Sequence, residues 1–78
     1  MAVTVYSKPD CVQCEATKRA LTEKQIPFDL VDLTADEKSF AFVMELGYRQ
    51  APVVVADDKH WAGFRPDLIA ALAVMPKV

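Results

Sequence analysis

The sequence lacks the features that define several large classes of protein. Its nine Lys and Arg residues are outnumbered by eleven Asp and Glu residues, so the net charge of −2 gives no basic surface for nucleic acid. No run approaches the roughly 18 consecutive apolar residues of a membrane-spanning helix. Residues 1–8 contain no positively charged segment that leads into a long apolar stretch, as a secretory signal would. We therefore expect a cytoplasmic protein that binds neither nucleic acid nor membrane.

Glycine is also scarce, with only Gly47 and Gly63 in 78 residues, and no repeat, linker or low-complexity segment is visible. A hydrophobic fraction of 53% with 26% charged residues is typical of a folded globular protein rather than a disordered chain. A chain of this length has room for one modest core. We therefore expect a single domain over residues 1–78, and a charged small domain of this kind is expected to be a monomer.

Cysteine is limited to Cys11 and Cys14, which are three positions apart. A disulfide between them closes so short a loop that it constrains the unfolded chain very little, so it is a poor stabilising bridge. In a reducing compartment this spacing predicts a disulfide that is made and broken during catalysis. Two other interpretations stay open, namely inert buried cysteines or a zinc or iron–sulfur module. With His60, the only histidine, the thiols offer three ligands, one fewer than a closed zinc site needs.

The first half of the chain predicts a strand, a helix and a second strand. Residues 2–6 alternate and are rich in β-branched and aromatic types, which predicts a strand. From Val12 to about Lys24 the apolar residues have helical spacing and form two adjacent rows, one of Val12, Ala16 and Ala20 and the other of Cys14, Thr17 and Leu21. Ile26-Pro27 is expected to stop this helix, and residues 28–33 predict a strand parallel to the first.

The second half predicts a helix, a hairpin and a closing helix. Thr34 and Glu37 match a capping box that begins the second helix, and Gly47 stands where a left-handed residue would end it. Pro52 precedes the apolar strand 53–56, Asp57-Asp58 offers a tight turn into strand 59–62, Pro66 opens the last helix, and Pro76 marks its end. The predicted order is β-α-β-α-β-β-α.

This order predicts a thioredoxin-like, glutaredoxin-type α/β fold, a four-stranded mixed sheet with three helices on its faces. The Cys-x-x-Cys spacing falls where the first strand meets the first helix, and such a motif next to a strand–helix–strand pattern indicates this redox fold. There the Cys11 sulfur would face unpaired N–H groups at the positive end of the helix dipole, which favours the thiolate. We predict Cys11 as the nucleophile and Cys14, one turn further and more buried, as the thiol that resolves the mixed disulfide.

Three short motifs, taken in order, resemble one known family nearly from end to end. They are Cys11-Val12-Gln13-Cys14 with Ala16-Thr17-Lys18, then Gly47-Tyr48 leading to Gln50-Ala51-Pro52-Val53-Val54, and finally residues 61–67, Trp-Ala-Gly-Phe-Arg-Pro-Asp. In this order and spacing the chain resembles the NrdH-type redoxins, which are small glutaredoxin-like proteins with thioredoxin-like behaviour. The usual last motif of that family carries Ser where this chain has Ala62, so any hydrogen bond of that hydroxyl is absent here.

The resemblance implies a hydrogen donor for the large subunit of class Ib ribonucleotide reductase, re-reduced by thioredoxin reductase with NADPH. It also implies that Pro52 is cis and lies beside the active-site disulfide, with the backbone of Ala51 turned outward so that a partner segment can pair with it as an added strand. We expect no cofactor other than the Cys11–Cys14 disulfide, and no metal.

Glutaredoxins proper carry C-P-Y-C, a T-V-P turn and a Gly-Gly-x-x-Asp segment that helps to hold glutathione. The matching places here have Cys-Val-Gln-Cys, Ala-Pro-Val and Trp-Ala-Gly-Phe. We therefore do not expect efficient use of glutathione. A general redoxin for low-molecular-weight thiols is the alternative within redox chemistry.

Further residues are assigned roles around the two thiols. Val12 and Gln13 offer a surface to partners or merely permit the helix start, and Lys8 either adds positive potential near Cys11 or is a solvated lysine. Trp61 either packs locally or faces a partner. Gly63, Phe64 and Arg65 are predicted to hold the final turn in place together with Trp61.

Overall fold

In the described part of the chain, seven elements follow one another in the predicted order. The computed structural model describes residues 3–57 and 59–73. The strands are β1 (Val3–Ser7), β2 (Asp29–Asp32), β3 (Val53–Ala56) and β4 (Lys59–Ala62), and the helices are α1 (Val12–Glu23), α2 (Glu37–Glu45) and α3 (Pro66–Ala73). The predicted turn residue Asp58 and the predicted helix stop Pro76 lie outside the described residues. The predicted fold class, three helices with a four-stranded mixed sheet, is confirmed.

The sheet has the strand order β2-β1-β3-β4. β1 pairs in parallel with β2, with Val5 opposite Leu30, and antiparallel with β3, with Val5 opposite Val54. β3 and β4 form the predicted antiparallel hairpin, with Val54 opposite Trp61. β1 is therefore an interior strand, and the chain that leaves its end at Ser7 leads directly to the cysteines.

The core lies on one face of the sheet, under α1 and α3. Val3 and Val5 alternate with less buried residues along β1, because successive side chains of a strand point to opposite faces. They belong to one buried cluster with residues from both helices and the hairpin: Leu21, Ile26, Val54, Ala56, Trp61, Ile69 and Leu72. Each fully buried Val, Leu or Ile side chain contributes about 1.5–3 kcal/mol. On the opposite face Tyr6 of β1 contacts Phe42 of α2, with ring centroids 5.7 Å apart.

The first helix ends at a left-handed residue rather than at the proline. Gln25 has φ +58°, its N–H donates to Thr22 O at 3.0 Å, and the N–H of Ile26 donates to Leu21 O at 2.9 Å. This pair of bonds satisfies two of the last carbonyls of the helix, and Ile26 joins Leu21 in the core. The helix has therefore already closed before Pro27, and Ile26-Pro27 is not its cause of termination.

The predicted capping box of α2 is wrong. The N-cap is Asp36, whose carboxylate accepts hydrogen bonds from the N–H groups of Lys38 and Ser39. Thr34 instead bonds to the residue two positions before it, because its N–H and its hydroxyl both donate to Asp32 Oδ1. Aspartate is at least as good an N-cap residue as threonine. With Asp36 as the cap, the helix begins at Glu37. The left-handed Gly47, at φ +94°, ends α2 as predicted.

The buried face of α1 is only one of the two predicted rows. Cys14, Thr17 and Leu21 are buried, whereas Val12 is 84% exposed and Ala16 and Ala20 are half-buried. Val12 is the first residue of the helix, beyond the end of β1, so its side chain projects into solvent. Among the helices within residues 3–57 and 59–73, none combines the length and apolar character needed to cross a bilayer.

Candidate redox site

Cys11 is the N-cap of α1, as the sequence predicts. Its backbone is extended, with φ −113° and ψ 106°, and its Sγ accepts a hydrogen bond from the N–H of Cys14 at 3.1 Å. The sulfur therefore lies at the positive end of the helix dipole, next to backbone donors that have no partner within the helix. This environment stabilises a thiolate once the disulfide is opened.

Cys14 is joined to Cys11 by a disulfide, with Cα atoms 5.2 Å apart. The two cysteines differ in accessibility, since Cys14 is 2% exposed and Cys11 is half-buried. An incoming sulfur can approach Cys11 but not Cys14. The difference in burial favours Cys11 as the attacking thiol and Cys14 as the internal one.

Pro52 is connected to the redox loop through the turn that follows β4. The Ala51–Pro52 peptide bond is cis, as the family resemblance implies. Pro52 is buried, and its carbonyl accepts a hydrogen bond from the N–H of Gly63 at 2.8 Å. Ala51 is half-buried at the approach to β3.

Gln13 reaches the same turn from the other side. Its Oε1 accepts a hydrogen bond from the N–H of Phe64 at 3.2 Å. Gly63 has φ +85°, and a Cβ at this residue would lie 3.4 Å from Gln13 Oε1 and 3.8 Å from Gln50 Nε2. The side chain of Gln13 is thus used to hold the turn, which the sequence did not predict, because two positions so far apart share no recognisable pattern. Gln13 is nevertheless exposed, so its assignment as a partner-facing residue stays a prediction.

The residues predicted to hold the final turn have separate roles. Trp61 is 6% exposed and belongs to the core cluster, which favours local packing over the partner-facing alternative. The side chain of Phe64 is exposed, and only its backbone N–H is used by the turn. Arg65 pairs with Asp67 through two hydrogen bonds, of 3.3 and 3.1 Å, and these hold the pKa of the Asp67 carboxyl below its ordinary value. The turn is therefore held by the backbone of residues 63 and 64, not by a cluster of their side chains.

A groove of about 470 Å³, lined mainly by residues of α2 and of the segment that precedes β3, was not predicted. Its lining includes Lys8 and Ala51, the apolar side chains of Phe40 and Met44, and Arg49. Phe40 and Met44 are both exposed, so α2 presents apolar surface to solvent here. Lys8 is solvent-exposed and lines this groove.

His60 is exposed on β4. Its Nδ1 lies 2.6 Å from the Tyr48 hydroxyl, and the two rings meet edge to face with centroids 5.5 Å apart. In the part of the chain that the structure describes, no group of three or more His, Cys, Asp or Glu side chains could hold a metal ion. The cysteines and His60 therefore do not form a shared ligand set within these residues.

Comparison with known proteins gives matches over nearly the whole chain. The family model described as Glutaredoxin matches residues 3–61. The glutaredoxin-like protein NrdH of Escherichia coli (strain K12) is 41% identical over 97% of this chain and 94% of its own length, and that of Lactococcus lactis subsp. lactis is 44% identical over 91% and 99%. The solved structure of the Escherichia coli NrdH-redoxin, described as having a thioredoxin-like activity profile, superposes with a TM-score of 0.92, covering 97% of this chain and 100% of that one at 41% identity.

Proposed function

This chain belongs to the glutaredoxin family and, within it, to the NrdH-type glutaredoxin-like proteins, and from that membership we propose that it donates electrons to class Ib ribonucleotide reductase and is re-reduced by thioredoxin reductase. The general chemistry is that of a thiol–disulfide oxidoreductase with the redox-active disulfide Cys11–Cys14. The proposal adds the two partners, the large subunit of ribonucleotide reductase and thioredoxin reductase, which supplies electrons from NADPH. No cofactor other than the disulfide is part of it.

The observation that carries the mechanism is the unequal environment of the two sulfurs. Cys11, at the helix N-cap, attacks a disulfide of the partner as a thiolate, and one sulfur of that disulfide leaves with the bonding electron pair. Cys14 then loses its proton and attacks Cys11 Sγ, forming the Cys11–Cys14 bond and releasing the second sulfur of the partner. Two electrons pass to the partner, which gains two thiols, and this chain is left oxidised.

The preference for thioredoxin reductase over glutathione is supported by the turn after β4. Where glutaredoxins proper carry Gly-Gly-x-x-Asp, this chain has Trp61-Ala62-Gly63-Phe64, with Trp61 in the core and the N–H of Phe64 bonded to Gln13. A backbone donor that is already paired within the protein is less available to a glutathione carboxylate. The thioredoxin-like activity profile described for the Escherichia coli NrdH-redoxin supports the same preference.

The partner surface is proposed to surround the accessible sulfur. Val12 projects into solvent next to Cys11, and Lys8 and Ala51 line the groove beside α2. We assign these residues to contact with an extended segment of the partner, whose backbone pairs at Ala51 as an added strand. Pro52 is fully buried, so its predicted contact with the partner is replaced by a role in positioning Ala51 through the cis peptide bond. We also propose that the protein is cytoplasmic and monomeric.

The experiment that tests the proposal compares two sources of electrons. NADPH oxidation is followed with thioredoxin reductase and a protein disulfide, and in parallel with glutathione and glutathione reductase. We expect turnover with thioredoxin reductase, and deoxyribonucleotide formation when class Ib ribonucleotide reductase is the acceptor. Exclusive turnover with glutathione would contradict the donor assignment and would indicate the general low-molecular-weight-thiol redoxin instead. Stoichiometric bound metal with a charge-transfer absorbance would indicate the metal or iron–sulfur module.

A further inference from the structure

Thr17 buries a hydroxyl that has no hydrogen-bond partner among the described residues. The side chain is completely buried, and its Oγ1 is unpaired. Burial of an unbonded hydroxyl is unfavourable. The same helix contains a contrasting threonine, Thr22, which is exposed and whose hydroxyl donates to the carbonyl of Lys18 at 2.9 Å. The missing bond of Thr17 is therefore not a general property of threonines in α1.

The position of Thr17 relates it to Cys14. The two residues are three apart on the buried face of α1, so they are neighbours on the helix surface. Helical side chains lean toward the N-terminus, which directs Thr17 toward the turn that carries Cys14. Both side chains are closed off from solvent, so neither can exchange its partners freely with water.

The surroundings of Cys14 offer few polar groups that could interact with its sulfur. Among the residues that the structure describes, the buried polar side chains other than the indole of Trp61 are Ser7 and Thr17, and both are neutral hydroxyls. No acid, base or histidine in this part of the chain is buried near the internal thiol. A sulfur released from the disulfide in this position therefore depends on a neutral donor.

We propose that Thr17 is the hydrogen-bond partner of Cys14 in the reduced protein, a bond that the oxidised protein does not contain. The inference rests on the thiol–disulfide cycle of the proposed function. When an external dithiol opens the Cys11–Cys14 bond, two electrons and two protons enter this chain and the dithiol becomes a disulfide. The freed Cys14 sulfur then accepts a hydrogen bond from the Thr17 hydroxyl. Thr17 transfers no proton, and in the reverse step the bond is given up as Cys14 attacks Cys11 Sγ.

The consequence is a bias of the redox equilibrium toward the reduced form. The oxidised protein leaves the hydroxyl unpaired, whereas the reduced protein pairs it, so the bond stabilises only one of the two states. A net hydrogen bond of ordinary strength corresponds to about a five- to tenfold change in the equilibrium constant. For this two-electron couple, tenfold corresponds to about 30 mV.

The test measures the equilibrium of the full chain with dithiothreitol, using alkylation and mass spectrometry to count reduced protein. Thr17→Val keeps the shape and removes the hydroxyl, Thr17→Ser keeps the hydroxyl, and Thr22→Val is the control on the exposed side of the helix. We expect the constant for reduction to fall about five- to tenfold in Thr17→Val. Thr17→Ser and Thr22→Val are expected to stay within about twofold of the parent, since each keeps the hydroxyl at position 17.

A second measurement separates this role from simple packing. Urea unfolding of both redox forms should show that Thr17→Val gains stability in the oxidised protein relative to the reduced protein. Equal shifts of the two forms, with an unchanged dithiothreitol equilibrium, would overturn the proposal, as would a fall in Thr17→Ser as large as that in Thr17→Val. If Thr17→Val does not fold, Thr17→Ala is measured in its place and judged by the same outcome. No partner protein is used, so failure here is distinct from failure of the donor assignment.

Discussion

The side-chain oxygen of Gln13 accepts a hydrogen bond from the backbone N–H of Phe64, which lies 51 positions further along the chain. Gly63, next to Phe64, donates in turn to the carbonyl of Pro52. The loop between the cysteines, the turn after β4 and the segment before β3 are therefore joined by two hydrogen bonds. Gln13 thus links the redox loop to the turn after β4, whereas Val12, the other residue between the two cysteines, is free to contact a partner.

Replacing Gln13 and Val12 should separate these two roles. We expect Gln13→Ala to reduce the free energy of unfolding by about 0.5–1.5 kcal/mol, the net value of one hydrogen bond. Val12→Ala, which removes an exposed side chain, should stay within about 0.5 kcal/mol. In the coupled assay Val12→Ala should instead raise the KM for the partner. Urea unfolding of the two variants in their oxidised form measures both changes in the free energy of unfolding. Equal losses of stability would contradict the separate roles of Gln13 and Val12.

The two glycines form a matched pair for a second prediction. Both have positive φ, but a Cβ at Gly47 would meet nothing within 4 Å, whereas one at Gly63 would approach Gln13 and Gln50. Gly47→Ala should therefore cost only the backbone strain, about 1–2 kcal/mol. Gly63→Ala should cost a similar amount, since a Cβ 3.4 Å from Gln13 Oε1 and 3.8 Å from Gln50 Nε2 is in ordinary van der Waals contact. Denaturant unfolding of the two variants compares the costs, and a clearly larger loss of stability in Gly63→Ala would contradict this expectation.

Removal of one thiol should trap the partner. With Cys14→Ser the mixed disulfide formed by Cys11 cannot be resolved internally, so a covalent complex with the ribonucleotide reductase subunit should accumulate on non-reducing gels. Cys11→Ser is the matched control and should give no complex, because the remaining thiol is buried. A complex formed through Cys14 alone, identified by peptide mapping, would reverse the two roles.

The cap of α2 predicts part of the acid sensitivity of the protein. The hydrogen bond from Ser39 lowers the pKa of Asp36, so its folded-state pKa lies below its unfolded-state pKa. This contribution to stability is present above the unfolded-state value and is lost as the pH falls through the lowered value. Asp36→Asn keeps a capping side chain that does not titrate. Unfolding midpoints at neutral pH and at about pH 3 should differ less in Asp36→Asn than in the parent. An unchanged difference would contradict this origin.

The features that the sequence predicts are those that depend on local chemistry. The positions of Cys11 and Cys14, the parallel first unit, the hairpin and the left-handed Gly47 each follow from neighbouring residue types. The first group of missed features is local and concerns the ends of helices. Thr34 and Asp36 were both acceptable caps, but the Thr34 hydroxyl is bonded to Asp32 and Asp36 caps the helix. Gln25 has a left-handed conformation, for which glycine is the usual signal.

The second group of missed features consists of the contacts that assemble the site. They were missed because they join positions that are far apart in the sequence. The bond between Gln13 and Phe64, and the groove between Lys8 and Ala51, depend on how the elements pack. Trp61 shows the same limit, since a strand residue of this type suits either a core or an interface. Its burial beside Ile69 and Leu72 is set by α3, which follows it in the chain.

Because Trp61 is buried, its intrinsic fluorescence reports whether the protein is folded. It is the only tryptophan in the chain and lies in the same cluster as β1, α1 and α3. Its emission therefore comes from a single apolar environment in the folded state and should shift to longer wavelength when water reaches the indole. Unfolding of every variant that retains Trp61 can be followed by this one signal without an attached dye, and the observed change reports the main core.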